Sequence, residues 1–456
     1  MQTLLKQINY MMKMMSFFSC SKLATSFCLA TSFLAVGNVS YAQRFNNSDT
    51  SNNPSHSRHH LNTFKPRSSQ SIESVRYREV VAATQNFLAL LNKKQRAAVV
   101  LPFNNYYRTR AFCYVLARCK NYYVGLRMSQ LNARQKIALN NVLMKSYSSA
   151  GYSRAIQTMN REGLLEEMEN AHRADPEKHP VIGSPESPDW SPPLYRRSSD
   201  YYVAIFGEPT VGEVPSLVNP WGIRFEGHHL SLNLTFDGNG NQPQMVATPL
   251  FFGSSPMIVP QSPSLKEREY TRWQTEEGQQ MLNREAWLAR SFLQSLDTKT
   301  SARGAWSALP DADLKGGTDA HLDAASYLNG EKPGVAVAEL SPLQQSLLRD
   351  FAYEFWQMEG NQKVDEEALK QFITKSHVWW FGDRHNEHGE LYVRVQSDRY
   401  LIELLQSNTF GVVSSDVEAN HVHTSFRDFK NDWDRDSLRE HLNQYPDHDP
   451  APLTTP

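Results

Sequence analysis

The strongest constraint on the fold is that part of the sequence recurs. Arg224-Phe-Glu-Gly-His-His-Leu-Ser-Leu-Asn-Leu234 aligns without gaps on Arg394-Val-Gln-Ser-Asp-Arg-Tyr-Leu-Ile-Glu-Leu404, at an offset of 170 (394 minus 224). Earlier landmarks recur in the same order: Phe87 to Ala97 with Phe292 to Ala302 at an offset of 205, and Leu131, Gln135 and Leu139 with Leu340, Gln344 and Leu348 at 209. Phe206-Gly-Glu208 then matches Phe381-Gly-Asp383 at 175. Offsets that fall along a shared order describe two copies, the second with shorter loops. Each copy is a supersecondary unit that needs its twin to bury a face. The competing reading is two unrelated α+β segments that share common patterns, since any amphipathic helix resembles another.

Hydropathy periods place the elements. Apolar residues three and four apart predict helices over 80–100, 108–121, 133–149 and 152–174, and again over 340–358 and 366–375. After a Pro-rich stretch over 175–193 the period changes to two. Strands are predicted for 201–206, for a hairpin of 221–226 and 229–236, for 377–381, and for a second hairpin of 391–396 and 400–406. The expected fold class is α+β with internal duplication, each half running from helices into an antiparallel hairpin or sheet, the halves related by a pseudo-twofold axis. The halves are expected over 76–256 and 257–433, with a polar tail over 434–456.

The N-terminus reads as an address. Lys6, Lys13 and Lys22 precede an apolar run from Leu23 to Val36, and Ser40-Tyr-Ala42 offers the small residues that signal peptidase accepts, so 1–42 is a predicted signal peptide and the mature protein is expected to be exported. Cys20 lacks a good aliphatic lipobox. Residues 43–75, rich in Ser, Asn and His, form a predicted disordered lead-in. No later run approaches the roughly 20 apolar residues that span a bilayer, so no membrane association is expected after cleavage. Beyond the signal only Cys113 and Cys119 remain. Six positions apart on a continuous helix they lie about 9 Å apart, beyond disulfide reach, so either the helix breaks there or both thiols are packed. A formal net charge of −1 over 456 residues supplies no field for a polyanion, which argues against nucleic acid as a partner.

The chemistry is expected where the copies differ. Position 229 is His in copy one and Arg399 in copy two; position 233 is Asn and its counterpart is Glu403. His421-Val-His423 has no histidines in its counterpart near 247–253. Two imidazoles two apart on a strand share a face and can grip one ion or one anion. His228 and His229 are adjacent, so only one of them is expected to join a shared site unless the turn twists both inward. The expected metal ligands are His421, His423, His228 or His229, and Glu403, a set suited to Zn, Fe or Cu. Hydrogen-bonded structural histidines are the bland alternative. Glu226 beside His228 is the candidate general base, and Asp428 a second catalytic carboxylate; Arg427-Asp428 and Asn431-Asp432-Trp433 either orient the imidazoles or form a cap and turn. Arg224 and Arg394 occupy equivalent places and are expected to be structural, for instance pairing with Glu226.

Other signals are weaker. The chain has no Gly-x-Ser-x-Gly elbow, Walker loop, His-Glu-x-x-His or dinucleotide fingerprint. His385-Asn-Glu-His388 is expected to be solvated, as are His56, His59 and His60. The aromatic pairs Tyr201-Tyr202 and Trp379-Trp380 are expected in the core rather than on a sugar.

Several of these strings together resemble a known signature: Phe206-Gly-Glu-Pro209, Trp221-Gly-Ile-Arg-Phe-Glu-Gly-His-His-Leu-Ser-Leu-Asn233, Phe251-Phe-Gly-Ser-Ser-Pro256, Leu401-Ile-Glu403, and His421-Val-His-Thr-Ser-Phe-Arg-Asp428 with Asn431-Asp432. They are similar to an exported bacterial and fungal family known as domain of unknown function family 3500, over most of the mature chain. Phe426 stands where members carry Trp or Tyr. The resemblance implies no activity. Two functions follow from the residues: a metal-dependent enzyme acting on a small molecule, or a non-catalytic protein whose His and Arg residues bind an anionic small ligand.

Overall fold

The computed structural model describes residues 72–110, 123–175, 197–209, 220–237, 244–262, 271–306, 314, 334–358, 364–408 and 418–434. All of them lie in one compact unit, Ser68–Pro456. The predicted signal peptide, most of the lead-in with its three histidines, the two cysteines, most of the Pro-rich stretch and the tail beyond Asp434 lie outside these residues.

The fold is mixed α+β around one large, mostly antiparallel sheet. In chain order the elements are α1 (Ile72–Ala89), α2 (Lys93–Val99), β1 (Val100–Leu101), β2 (Leu126–Arg127), α3 (Ala133–Ser146), α4 (Ser149–Ala174), β3 (Tyr202–Phe206), β4 (Trp221–Gly227), β5 (Leu230–Asp237), β6 (Gln244–Val246) and β7 (Leu250–Ser254). There follow α5 (Arg272–Glu276), α6 (Asn283–Gln294), α7 (Thr298–Gly304), β8 (Val335–Ala336), α8 (Pro342–Trp356), α9 (Glu366–Lys375), β9 (His377–Gly382), β10 (Leu391–Gln396), β11 (Tyr400–Ser407) and β12 (His421–Asp428). The helix predicted over 80–100 is two helices. Asn92 accepts from the Gln95 amide while the Gln95 side chain accepts from the Asn92 amide, a capping box that ends one helix and starts the next. Helix α1 also begins earlier than expected, at Ile72.

The strand order is β1-β3-β4-β5-β7-β12-β11-β10-β9-β8, with β2 on β3 and β6 on β5. Both predicted hairpins form, with Arg224 opposite Asn233 and Arg394 opposite Glu403. At the centre β12 pairs antiparallel with β7, placing His423 opposite Gly253. Facing residues in a ladder point to the same side, so the registers sort the side chains into two faces. One face carries Ile205, Phe225, Leu232, Phe252, Val422, Ile402 and Val393, which join Phe87, Leu139, Phe292, Phe351 and Phe372 of the helices in the main core. The opposite face carries Arg224, Glu226, Asn233, His421, His423, Ser425, Glu403 and Arg394, all nearly buried.

This second, polar face explains why the strands do not read as simply amphipathic: the apolar side meets helices and the polar side is also withdrawn from water. Helix α4 contributes Ala155 and Met159 to the main core, while its later turns bury Leu164, Leu165 and Met168 with Val259 and Trp273 in a separate cluster. In passing it lies against the turn between β4 and β5. Among the described residues no helix is long and apolar enough to cross a membrane. Trp379, Trp380 and Tyr201 are core residues, and His385 and His388 are exposed, as expected.

Candidate metal centre

The turn His228-His229 closes the β4–β5 hairpin with His229 in the left-handed region, at φ 58°. A non-glycine residue persists there only when its surroundings hold it, which is a cost of order 1 kcal/mol or more. Here the surroundings are a carboxylate. Glu162 of α4 lies 2.6 Å from His228 Nδ1 through one oxygen and 2.7 Å from His229 Nδ1 through the other. The two rings lie side by side, with centroids 3.7 Å apart.

His229 also reaches the histidines of β12. Its Nε2 lies 2.9 Å from His421 Nε2, and His421 and His423 share a face of β12 with ring centroids 4.4 Å apart. Ligand atoms of His229, His421 and His423 all fall within 4.8 Å of one another, and Glu162, His228 and His229 form a second group by the same measure. Close approach of the rings depends on Gly253: a Cβ there would stand 2.8 Å from His229 Cδ2 and 2.8 Å from His423 Cδ2. The Gly253 amide also donates to the His229 carbonyl, at 2.7 Å, which pins the turn to β7.

Protonation follows from burial and charge. Burial pushes the Glu162 carboxyl up, but the two imidazoles and their hydrogen bonds outweigh it and hold the group well below the usual carboxylate range. Burial pushes the His229 imidazole down to about 3, helped by His228 and His423 and opposed by Glu162. An ionised carboxylate only accepts, so both Nδ1 atoms donate to it. A neutral His229 therefore presents its Nε2 lone pair to the space shared with His421 and His423. A carboxylate behind an imidazole that fixes the tautomer is the usual partner of a metal-ligating histidine. This buried His/Glu cluster is able to hold a metal ion.

The other residues expected at the site sit elsewhere. Glu403 shares the polar face, but its Oε1 accepts from the Tyr392 hydroxyl at 2.5 Å, and among the described residues it is not part of either ligand group. Glu226 forms a buried ion pair with Arg224 at 2.8 Å, the pairing anticipated for that arginine. Burial pushes the Glu226 carboxyl up against the pull of Arg224. Asp428 ends β12 about 17 Å along the strand from His423. It pairs with Arg399 at 2.8 Å and accepts from the amides of Lys430 and Asn431, while Arg427 pairs with Asp432 at 2.6 Å. That is a cap and turn. Glu162 went unread in the sequence; the available signal was a carboxylate at the apolar stripe position shared with Thr158 and Leu165, four before it and three after.

No curated protein and no solved structure matches the chain. The profile of a family described as "Protein of unknown function (DUF3500)" matches residues 73–435, which span every residue of the cluster. The chain belongs to that family.

Proposed function

We propose that this protein is an exported, metal-dependent enzyme acting on a small molecule, with a divalent ion such as Zn, Fe or Cu held by His229, His421 and His423. The observation that carries the reading is the 2.9 Å approach of two imidazole Nε2 atoms, one of them oriented from behind by a buried, ionised Glu162. Two nitrogens about 2.05 Å from a tetrahedral ion lie about 3.4 Å apart, so the pair needs to open by only about half an ångström. Three imidazole ligands leave a fourth position open, and an ion so held would supply a Lewis acid. Because Glu226 is committed to Arg224, a titratable group beside the centre suited to proton transfer is His228, whose Nδ1 hydrogen is anchored on Glu162.

The same reading includes a duplicated origin with pseudo-twofold symmetry. It is supported by equivalent hydrogen bonds: Gln135 Nε2 donates to the Leu90 carbonyl and Gln344 Nε2 to the Ser295 carbonyl, positions offset by 209 and 205. The metal set then belongs to one copy's turn and the other copy's last strand, which explains why neither copy alone carries a full ligand set. Elemental analysis of protein purified without chelators tests the proposal. About one equivalent of metal is expected, lost in a folded His421→Ala/His423→Ala variant. Absence of metal from the parent protein after incubation with Zn, Fe and Cu salts and desalting would sink it.

A further inference from the structure

We propose that a cavity on the flank of α4 binds the carboxylate group of a small polar organic acid, with Arg161 as its anchor and Arg272 as a second donor. The cavity holds about 330 Å³ and is lined by Arg161, Arg272 and Glu276 together with the amides of Gln157, Asn160 and Gln279. Its floor is unusual. Arg161 is only 4% exposed, and its Nη1 is buried with no hydrogen-bond partner among the described residues. Glu276 attracts the Arg161 charge, but a buried N–H left without an acceptor is costly, and one that borders a cavity is matched by an anion entering it.

The rest of the lining selects the anion. Glu276 is engaged by Arg272 at 2.5 Å, one turn apart on α5, so the three charged groups among the described lining residues sum to a single positive charge. That suits a monoanionic carboxylate, which a guanidinium grips with two parallel hydrogen bonds. A phosphate dianion would leave charge unmet. The amides around the rim offer donors and acceptors to hydroxyl or amide groups on the rest of the ligand. Burial pushes the Arg161 guanidinium down to about 10, which still leaves it charged at neutral pH. The walls are firm: the Trp273 amide donates to Glu167 at 3.1 Å, and the Trp273 indole donates to the Pro260 carbonyl at 2.8 Å. Gly163 lets Arg272 lie close, since a Cβ there would stand 2.7 Å from Arg272 Nη1.

Position relates the cavity to the histidine cluster without making it depend on a metal. Arg161 precedes Glu162 on α4. The Met281 amide on the cavity wall donates to the Met257 carbonyl, and the Met257 amide donates to the carbonyl of Asn420, the neighbour of His421.

Calorimetric titration of the full mature protein with acetate, lactate, succinate and inorganic phosphate tests the proposal. Saturable binding of at least one carboxylate is expected, tighter than phosphate. Arg161→Gln should weaken it at least tenfold and Gly163→Ala by a smaller factor. In the absence of ligand Arg161→Met should melt no lower than the parent, since it removes a buried guanidinium whose Nη1 has no hydrogen-bond partner among the described residues, a cost that attraction to Glu276 offsets only in part. Chelator-treated protein should bind the carboxylate with unchanged affinity, so a failure of the metal reading leaves this result intact. The proposal is overturned by no saturable carboxylate binding, by phosphate binding more tightly, by unaltered affinity in Arg161→Gln, or by a lowered melting temperature in ligand-free Arg161→Met.

Discussion

Replacing Glu162 with glutamine isolates what the carboxylate does for the cluster. The two Glu162 oxygens accept from His228 and His229 at 2.6 and 2.7 Å. An amide of the same shape has one accepting oxygen and one donating NH2 group, so it satisfies only one of these imidazoles in its present tautomer. If the amide nitrogen faces His229, that ring must accept at Nδ1. Its proton then moves to Nε2 and the lone pair directed at His421 is lost. If the oxygen faces His229 the tautomer survives, but a charge-assisted hydrogen bond of about 1.5–3 kcal/mol becomes a neutral one of about 0.5–1.5 kcal/mol. Partners behind metal-ligating histidines typically contribute 10–100-fold to metal affinity. That range corresponds to about 1.4–2.7 kcal/mol, and the loss worked from the hydrogen bonds, about 1–1.5 kcal/mol, falls at its lower end. The assay is competition for Zn against a chromophoric chelator at neutral pH, on parent and Glu162→Gln proteins that circular dichroism shows to be folded. A dissociation constant raised 10–100-fold is expected. A folded Glu162→Gln variant that binds Zn as the parent does would falsify the assignment of Glu162 as the group that orients His229.

Four further outcomes are expected. Gly253→Ala pushes a methyl group against the rings of His229 and His423 and should weaken Zn binding at least tenfold in the same competition assay, while far-ultraviolet circular dichroism stays unchanged. Glu403→Gln and Asp428→Asn, whose carboxylates serve Tyr392 and Arg399, should leave the Zn dissociation constant within about threefold of the parent. Gln135→Ala and Gln344→Ala each remove a side chain that accepts from the helix N-cap amide and also donates to a distant carbonyl, and each should cost about 1–2 kcal/mol in denaturant unfolding. Burial pushes the Glu285 carboxyl up against the pull of Arg154. A raised folded pKa gives a contribution fully present below the unfolded value near 4.3 and lost as pH rises through the folded one. The melting temperature of Glu285→Gln relative to the parent should therefore move in favour of the variant as pH increases from about 4.

Legibility in the sequence varied with the range of the interaction involved. Both hairpins were readable because alternation and turn residues act within a dozen positions, and the residues predicted for β4, β5, β10 and β11 match to within one or two. The pairing of Arg224 with Glu226 was readable for the same reason: two apart on one strand, they share a face. The break between α1 and α2 was missed because the apolar spacing runs through it and a single capping box decides it. His421 and His423 were readable as a pair from their spacing. Their partner was not fully assigned, since which of His228 and His229 reaches them depends on a positive φ at His229. Glu162 showed only as a carboxylate on an apolar stripe, and its partners lie 66 and 67 residues later in the chain, beyond any local pattern.

By itself the sequence determined the α+β class, the two hairpins, the direction in which each strand residue points, and the histidines from which a centre is built. Those properties follow from chain stereochemistry and from hydropathy at periods of two and 3.6, which act locally. Only the tertiary structure decided which groups converge. The pairing of β12 with β7 sets His423 against Gly253, and the path of α4 past the β4–β5 turn delivers Glu162 to both imidazoles. Strand pairing likewise gives Glu403 to Tyr392 and Asp428 to Arg399, because a buried carboxylate goes to the nearest donor that meets the cost of its burial, while Glu226 keeps its same-strand partner Arg224. Which donor Glu403 and Asp428 meet is set by the register of β11 with β10 and β12.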